Sequence, residues 1–465
     1  MLKSIPLYIK IIVALIFGII WAVLSSYMGW SSFTNNWISP WGDIFIALLK
    51  LIAIPLILFS VIGGIVGLGN PKDLGKMGVK TLGFYLITTI TAVSVGLILV
   101  NVFSPGKTLS EDVRVENRIA YEGWANENGI EIIENKSLVN NEVYKAYLLD
   151  KRQVENSIDK ELDEKFKNRL NEESGPLQPL VDIIPVNIFN SLSGNGSMLQ
   201  IIFFAIFFGV ALLYIDKEKA KPVISLVEGV TEAFVKMIDF VMKASPLFVF
   251  ALMAGVVNDI AGDDPSKVLE LFKGLTWYSL TVSGGLFIMA FILYPSLLKL
   301  LRGSFKFKDF FVGISPAQAL AFSTSSSAAT LPVTLECVED NLKVDKRTAS
   351  FVLPIGATIN MDGTSLYQAV AVIFLAQIHM IDLSLGQQMA VVLTATLASI
   401  GSAAIPSAGL VMLMVVLESV GLNPAWIAII LPVDRILDMM RTVVNVTGDA
   451  TVCLLVDNKK APSPN

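Results

Sequence analysis

The chain reads as ten long apolar runs, near residues 6–29, 43–69, 79–104, 183–214, 222–257, 270–300, 309–336, 348–378, 386–417 and 424–456. About 20 apolar residues of helix cross the hydrocarbon core of a bilayer, so runs of this length predict membrane-spanning helices. Composition agrees: 54% of the 465 residues are hydrophobic, 16% are charged and mean hydropathy is +0.65. Few soluble cores can hide that much apolar surface. The first run, from Pro6 to Met28, is too long for a signal-peptide core and lacks a small-residue cleavage site, so it reads as the first span.

Loop charges reduce ten runs to eight spans. Lys3 and Lys10 mark a cytoplasmic start, whereas 30–42 has no Lys or Arg. Lys72, Lys76 and Lys80, then Lys217, Lys219 and Lys221, then Lys299, Arg302, Lys306 and Lys308 mark further inner loops; Asp259, Asp263 and Asp264 mark an outer one. Six spans alternate on this reading. The seventh run then starts beside Lys306 and Lys308 and ends beside Lys343, Lys346 and Arg347. A segment that begins and ends on one side must turn back within the membrane, and its midpoint, Ser323–Pro332, is small and polar. The ninth run lies between loops almost free of Lys and Arg, with the middle Ser399–Gly409, and behaves likewise from the other side. Non-helical backbone survives at membrane depth only in the shelter of protein or a water-filled cavity. The expectation is an all-α polytopic membrane protein with eight transmembrane helices and two re-entrant helical hairpins.

Residues 106–182 are a different material, with 11 Lys or Arg against 17 Asp or Glu, a surplus of six negative charges. Topology places this acidic insertion outside, as a cap or packing element. Val154, Ile158, Leu162, Phe166 and Leu170 repeat every four residues and predict a soluble amphipathic helix. Asn135-Lys-Ser137 matches a glycosylation sequon, which has meaning only in a eukaryotic host.

Three clusters carry the chemistry. In the last run Asp434, Asp438, Arg441, Thr442, Asn445 and Asp449 fall within an arc of roughly 100° on a helix. Each ionised group costs about 2.5–3.5 kcal/mol on the mildest insertion scale, so this face must look into protein, water, ions or substrate. Asp438 suits an ammonium, and Arg441 can fork onto a carboxylate. The alternative is an internal ion pair that ties helices together, but a pair leaves the surplus acids unexplained. The second cluster is Gly356–Thr364, in which Asn360, Asp362 and Thr364 are hard oxygen donors and Gly356 and Gly363 permit an unwound backbone. Such a set suits Na⁺ better than a soft metal; a Gly-kinked helix with a protonated buried Asp is the alternative. The third is the serine-rich turn at 323–327, either small-residue helix packing or a hairpin tip whose backbone N–H groups hold a carboxylate. Asp362, Asp434, Asp438 and Asp449 against Arg435 and Arg441 leave two negative charges in excess, which bound cations or protons must neutralise. His379 is the sole histidine, which excludes a His-based metal cluster and deprives any serine hydrolase of a credible base. Cys337 and Cys453 suggest neither a disulfide frame nor a metal site.

Together these clusters resemble the dicarboxylate/amino-acid:cation symporter family, the glutamate transporter family. The likeness covers nearly the whole chain outside 106–182 and is most specific in Asn360-Met-Asp-Gly-Thr364 and in Asp438–Asp449. The resemblance implies a glutamate-transporter-like fold with inverted repeats and a homotrimer in the cell (inner or plasma) membrane, with both termini cytoplasmic. It implies scaffold helices in 1–77 and 183–260, helix 3 of a transport domain in 78–105, the rest of that domain in 261–457, and a cytoplasmic tail at 458–465.

It also implies residue roles. Asp438 and Thr442 would bind the substrate amino group, Arg441 and Thr364 its side-chain carboxylate, and Asn445 with Ser326 and Ser327 its α-carboxylate. Backbone groups at Ser325, Ile405 and Gly409 would close the pocket. One sodium site would use Gly356, Asn360, Asn445 and Asp449; a second Thr358, Met361, Ser399, Ile400 and Ser402; a third Tyr85, Thr88, Thr89, Asn360 and Asp362. The chain departs from the pattern in lacking Arg at Ser325 and at Met439, although Arg435 lies one turn from the latter, and in reading Ala328-Ala329 where Ser and Gly are common.

The expected activity is Na⁺-coupled import of aspartate or glutamate by an elevator-type movement, not an enzymatic reaction, and no nucleic-acid partner is expected. A proton-coupled glutamate or C4-dicarboxylate transporter is the nearest alternative. Asp438 weighs against a substrate without an amine, and Asp449 with Asn360 favours Na⁺. An anion channel would not explain the surplus acids.

Overall fold

The computed structural model describes residues 7–67, 71–127, 184–193, 198–261, 266–302, 306–400 and 408–457, and these are helical throughout apart from short turns. Fifteen helices carry the architecture. They are α1 (Leu7–Met28), α2 (Ser39–Gly67), α3 (Pro71–Phe103), α4 (Glu111–Glu127), α5 (Met198–Tyr214), α6 (Lys217–Ala261), α7 (Ser266–Phe287) and α8 (Tyr294–Arg302), followed by α9 (Phe307–Thr324), α10 (Ser327–Glu336), α11 (Lys346–Ile359), α12 (Asp362–Ile378), α13 (Leu385–Ile400), α14 (Ala408–Ser419) and α15 (Ile427–Val456).

Among the described residues, five helical stretches are long and apolar enough to cross a membrane: Ile9–Met28, Ser31–Val66, Met77–Thr108, Lys217–Asn258 and Glu270–Arg302. Of the other three expected spans, the described part of the fourth includes the 17-residue α5, the seventh is broken in two at Asn360–Met361, and α15 carries the charged stripe. Prolines lie inside α2, α6, α9, α10, α11 and α15; the Val312 carbonyl, four residues before Pro316, accepts instead from Ser315 Oγ at 3.0 Å, one of the ways membrane helices re-satisfy backbone groups freed by proline.

The first hairpin is α9–α10. Its corner is Ser325, in the left-handed region at φ 53°, where a residue with a Cβ is uncommon. Asn341 Nδ2 donates to the Gly313 carbonyl at 2.9 Å, and the hydroxyls of Thr324 and Thr330 lie 3.3 Å apart. Both pairs are centred on Ser327, which fixes an antiparallel return. The Ser326 hydroxyl accepts from the Ala329 N–H at 3.2 Å and caps α10. In the second hairpin α13 and α14 pack on each other; its expected tip, with Ser402 and Ile405, lies outside the described residues.

Packing divides into two groups. Helix α6 runs along α2 and α1, and α5 lies on α2. Around α12 gather α3, α7, α13, α14 and α15, with hairpin α9–α10 against α15. All of α12 is buried, as expected for a helix that is apolar on every side. Tyr85, Phe310, Ile314, Val352 and Leu454 belong to a second apolar cluster joining hairpin α9–α10 to α3, α11 and α15.

Within the acidic insertion the structure shows α4, a helix in the first part that the sequence did not announce. Side chains on one face of α4 cap the end of α12: Arg114 Nε donates to the Gln377 carbonyl (3.1 Å), Asn117 Nδ2 to that of Ile378 (3.3 Å) and Arg118 Nη1 to that of Met380 (3.0 Å). The last carbonyls of a helix have no intrahelical donor, and α4 supplies donors for them. The first part of the insertion thus packs on the end of α12. The helix expected around Val154–Leu170 and the sequon at Asn135 lie outside the described residues. His379 lies at the C-terminal end of α12, stacked 3.4 Å from the Trp426 ring, and Cys337 and Cys453 are free and buried.

Candidate functional site

The α11–α12 break brings the site into being. Asn360 and Met361 leave helical geometry (φ −94°, ψ 91° and φ −115°, ψ 50°), so α11 ends and α12 begins inside the bundle. Ile359, Asn360 and Met361 are buried. Close passage of α15 requires two glycines here. A Cβ on Gly363 would stand 2.5 Å from the Arg441 carbonyl oxygen, and one on Gly356 would collide with the Asp449 carboxylate and the Tyr85 hydroxyl.

The six polar residues of the α15 stripe are all buried, as their common face requires. Arg441 is fully enclosed. Its Nη2 donates to Asp438 Oδ1 at 2.7 Å, and its Nη1 lies 3.1 Å from Asp434 Oδ1 without hydrogen-bond geometry. Its Cζ sits 3.8 Å over the Tyr367 ring, a stacked cation–π arrangement. Arg441 Nε has no acceptor, and Nη1 has only its ion pair with Asp434. Half-buried Arg435 reaches the other oxygen of Asp438 at 3.4 Å. Asp434 is therefore an electrostatic neighbour of the guanidinium, and Asp438 is shared between two.

Around the break a second network forms. Asn360 Nδ2 donates to Asp449 Oδ1 at 2.9 Å; the Gly363 N–H donates to Asn445 Oδ1 at 2.8 Å; Asn445 Nδ2 lies 3.5 Å from Thr364 Oγ1. Thr89 Oγ1 donates to Asp362 Oδ1 at 2.7 Å and Tyr294 Oη to Asp362 Oδ2 at 2.7 Å, while Thr88 Oγ1 lies 3.5 Å from Asn360 Oδ1. The Tyr85 hydroxyl donates to the Val352 carbonyl at 3.0 Å. The oxygens of Gly356, Asn360, Asn445, Asp449, Tyr85, Thr88, Thr89 and Asp362 thus fall in one buried region, a donor set suited to hard cations.

Gly409 approaches Thr364 and Arg441, since a Cβ there would stand 2.9 Å from Thr364 Cγ2 and 3.6 Å from Arg441 Cζ; Gln368 Nε2 holds the Gly409 carbonyl at 3.2 Å. Thr442 is buried and bonds back to the Asp438 carbonyl at 2.9 Å. Ser325, Ser326 and Ser327 are buried at the hairpin corner, with Ser325 Oγ unpartnered. The hairpin meets α15 through Gln318 and Thr447 (2.9 Å). Of the expected second sodium set, Met361 is buried and accepts from Asn445 Nδ2 through its sulfur at 3.2 Å, whereas Thr358 is exposed and bonds back to Ile355 at 3.0 Å. Ser399 and Ile400 end α13, and Ser402 lies outside the described residues. Three contributors were not foreseen: Tyr294, Tyr367 and Gln368. An aromatic or amide residue inside an apolar run carries no positional signal, so its partner shows only in three dimensions.

A broken helix beside two hairpins, enclosing a buried polar centre of both signs, defines a secondary transporter built on discontinuous helices. The model of the Sodium:dicarboxylate symporter family matches residues 7–459, and the chain belongs to that family. It is 34% identical over 459 residues to excitatory amino acid transporter 3 of Oryctolagus cuniculus, covering 97% of this chain and 84% of the relative. It is 37% identical over 419 residues to excitatory amino acid transporter 2 of Mus musculus, covering 88% and 71%. It is 32% identical over 459 residues to the proton/sodium-glutamate symport protein of Geobacillus stearothermophilus, covering 98% and 94%. The protein is a multi-pass membrane transporter, not an enzyme.

Proposed function

We propose that this symporter imports acidic L-amino acids, aspartate or glutamate, driven by co-transported Na⁺. The observation that carries the reading is the Arg441 guanidinium, fully buried beside Gly409 and Thr364, with Nε lacking an acceptor and Nη1 held only by an ion pair of 3.1 Å to Asp434 Oδ1 outside hydrogen-bond geometry. Open donors on a buried charge are costly, and a planar carboxylate is the ligand whose geometry answers them. Thr364 completes the side-chain carboxylate site. Asp438 and Thr442 take the amine, and Asn445 with Ser326 and Ser327 takes the α-carboxylate. Backbone groups at Ser325, Ile405 and Gly409 close the pocket.

Coupling follows from charge. Four buried carboxylates against two guanidiniums leave two negative charges in a dry interior, and Na⁺ entering with the substrate neutralises them. The set of Gly356, Asn360, Asn445 and Asp449 and the set of Tyr85, Thr88, Thr89, Asn360 and Asp362 are two proposed sites. Thr358, Met361, Ser399, Ile400 and Ser402 form a third, working mostly through backbone carbonyls. Residues 78–105 and 261–457 move as one unit against a scaffold of 1–77 and 183–260, with the second hairpin as outer gate. The protein assembles as a homotrimer in the cell membrane with both termini cytoplasmic.

Coupling to protons is the second reading, favoured by the likeness to the Geobacillus proton/sodium-glutamate symport protein. Uptake of radiolabelled aspartate, glutamate and succinate into proteoliposomes under separate Na⁺ and H⁺ gradients decides between them. The Na⁺ gradient is expected to drive aspartate or glutamate but not succinate. Uptake driven by protons and indifferent to Na⁺ overturns the proposal.

A further inference from the structure

Asp362 begins α12 with both carboxylate oxygens engaged, and the two donors come from different parts of the chain. Thr89 of α3 holds Oδ1 and Tyr294 of α8 holds Oδ2, each at 2.7 Å. Asp362 and Tyr294 are buried to within 1% of full enclosure, so no water substitutes for either bond. A fixed hydrogen bond to each oxygen sets the plane of the carboxylate as well as its place.

Two further features hold the Tyr294 hydroxyl where it is. A wide π-type turn, Ile288–Leu293, separates α7 from α8 immediately before it. Such a turn accommodates one residue more than an α-turn and rotates everything after it by about 100°; single wide turns of this kind recur at functional sites. On the far side stands Gly448 of α15, where a Cβ would lie 2.8 Å from the Tyr294 hydroxyl and 3.0 Å from Asn360 Nδ2. The side chain therefore threads from α8 past α15 to reach the α11–α12 break, and only a residue without a side chain lets it through.

We propose that Tyr294 is a positioning residue for cation binding, holding the Asp362 carboxylate in the orientation that a bound Na⁺ requires. The inference rests on the reading of Asp362 as a cation ligand. Tyr294 is not itself a ligand: its proton points at Asp362. It acts by preorganisation, so that the ion meets a carboxylate already aimed and the rotational freedom of Asp362 is not lost at the moment of binding. It also ties α8 into a site otherwise made from α3, α11, α12 and α15.

Binding of radiolabelled Na⁺ to the purified full-length protein, with and without aspartate, tests this in wild type and in Tyr294→Phe. Loss of one hydrogen bond to a charged group corresponds to about tenfold in affinity. The Na⁺ concentration for half-saturation is expected to rise by about that factor, and raising Na⁺ to saturation is expected to recover the aspartate KM. A structural role would instead lower thermal stability equally with and without Na⁺. Positioning shrinks the stability gained on adding Na⁺. Should Tyr294→Phe fail to fold, Gly448→Ala displaces the same hydroxyl from the other side and is read in the same assay. A wild type that binds Na⁺ beside a Tyr294→Phe variant with unchanged Na⁺ half-saturation overturns the inference alone. A wild type that takes no Na⁺ overturns it together with the functional reading.

Discussion

At the scale of the residue, the proposed function divides the substrate between Arg441 and Asp438. Arg441 keeps its place without substrate because Tyr367 supports its face and Asp438 takes one end of its fork. Arg441→Thr removes the carboxylate partner and is expected to raise the aspartate KM by roughly 30-fold to several thousandfold, from about 2–5 kcal/mol for a buried charge-assisted pair. Neutral amino acids should then compete better than acidic ones; a variant that keeps acidic preference in competition uptake would reassign the carboxylate site. Asp438→Asn keeps size and loses charge, so aspartate binding is expected to vanish in direct titration. Retained affinity would place the amine elsewhere. The α15 stripe was legible from spacing alone, because charge on one face of a membrane helix has few explanations. Tyr294 and Tyr367 were not legible, since their roles depend on residues 68 and 74 positions away along the chain.

At the scale of the element, backbone polarity explains what could be foreseen. The first hairpin was readable from the basic residues at both ends of one apolar run, and the broken helix from Gly356, Gly363 and the oxygen donors between them. Helix α4 was hidden because its purpose is to cap another helix, a pairing across some 260 residues that leaves no local pattern. Within it Arg118 and Glu122 form an enclosed pair at 2.8 Å, with side chains 2% and 1% exposed. Arg118→Met takes the guanidinium away from the Glu122 carboxylate and from the Met380 carbonyl; a loss of up to about 3–5 kcal/mol is typical of breaking a buried pair from one side. The melting temperature in detergent is expected to fall clearly. Adding Glu122→Leu should restore only part of it, because the carbonyl stays uncapped. Full restoration would mean that capping contributes nothing.

At the scale of the whole molecule, the surface between the two packing groups matters most. Leu49 and Met242 of one group and Val411 and Leu431 of the other line one apolar cavity, with Asp434 and Arg435 at its margin. If transport requires these groups to slide past each other, joining them must stop it without harming the binding site. A Leu49→Cys/Val411→Cys pair treated with a bifunctional thiol reagent is expected to abolish aspartate uptake in proteoliposomes while Na⁺ binding persists. Uptake that survives quantitative cross-linking would exclude a sliding movement at this surface.

The capping of α12 by α4 has a consequence at the surface of the protein. A short surface helix is fastened to the same rod that begins with Asp362 and Thr364, so the interior of the carrier has an external pointer. Gly123 stands exposed on that helix, and a Cβ there meets nothing within 4 Å. If α12 moves with the substrate as proposed, a dye, a bead or an antibody attached at that point travels with it. A ligand made to grip that helix could hold the carrier still without ever entering its pocket.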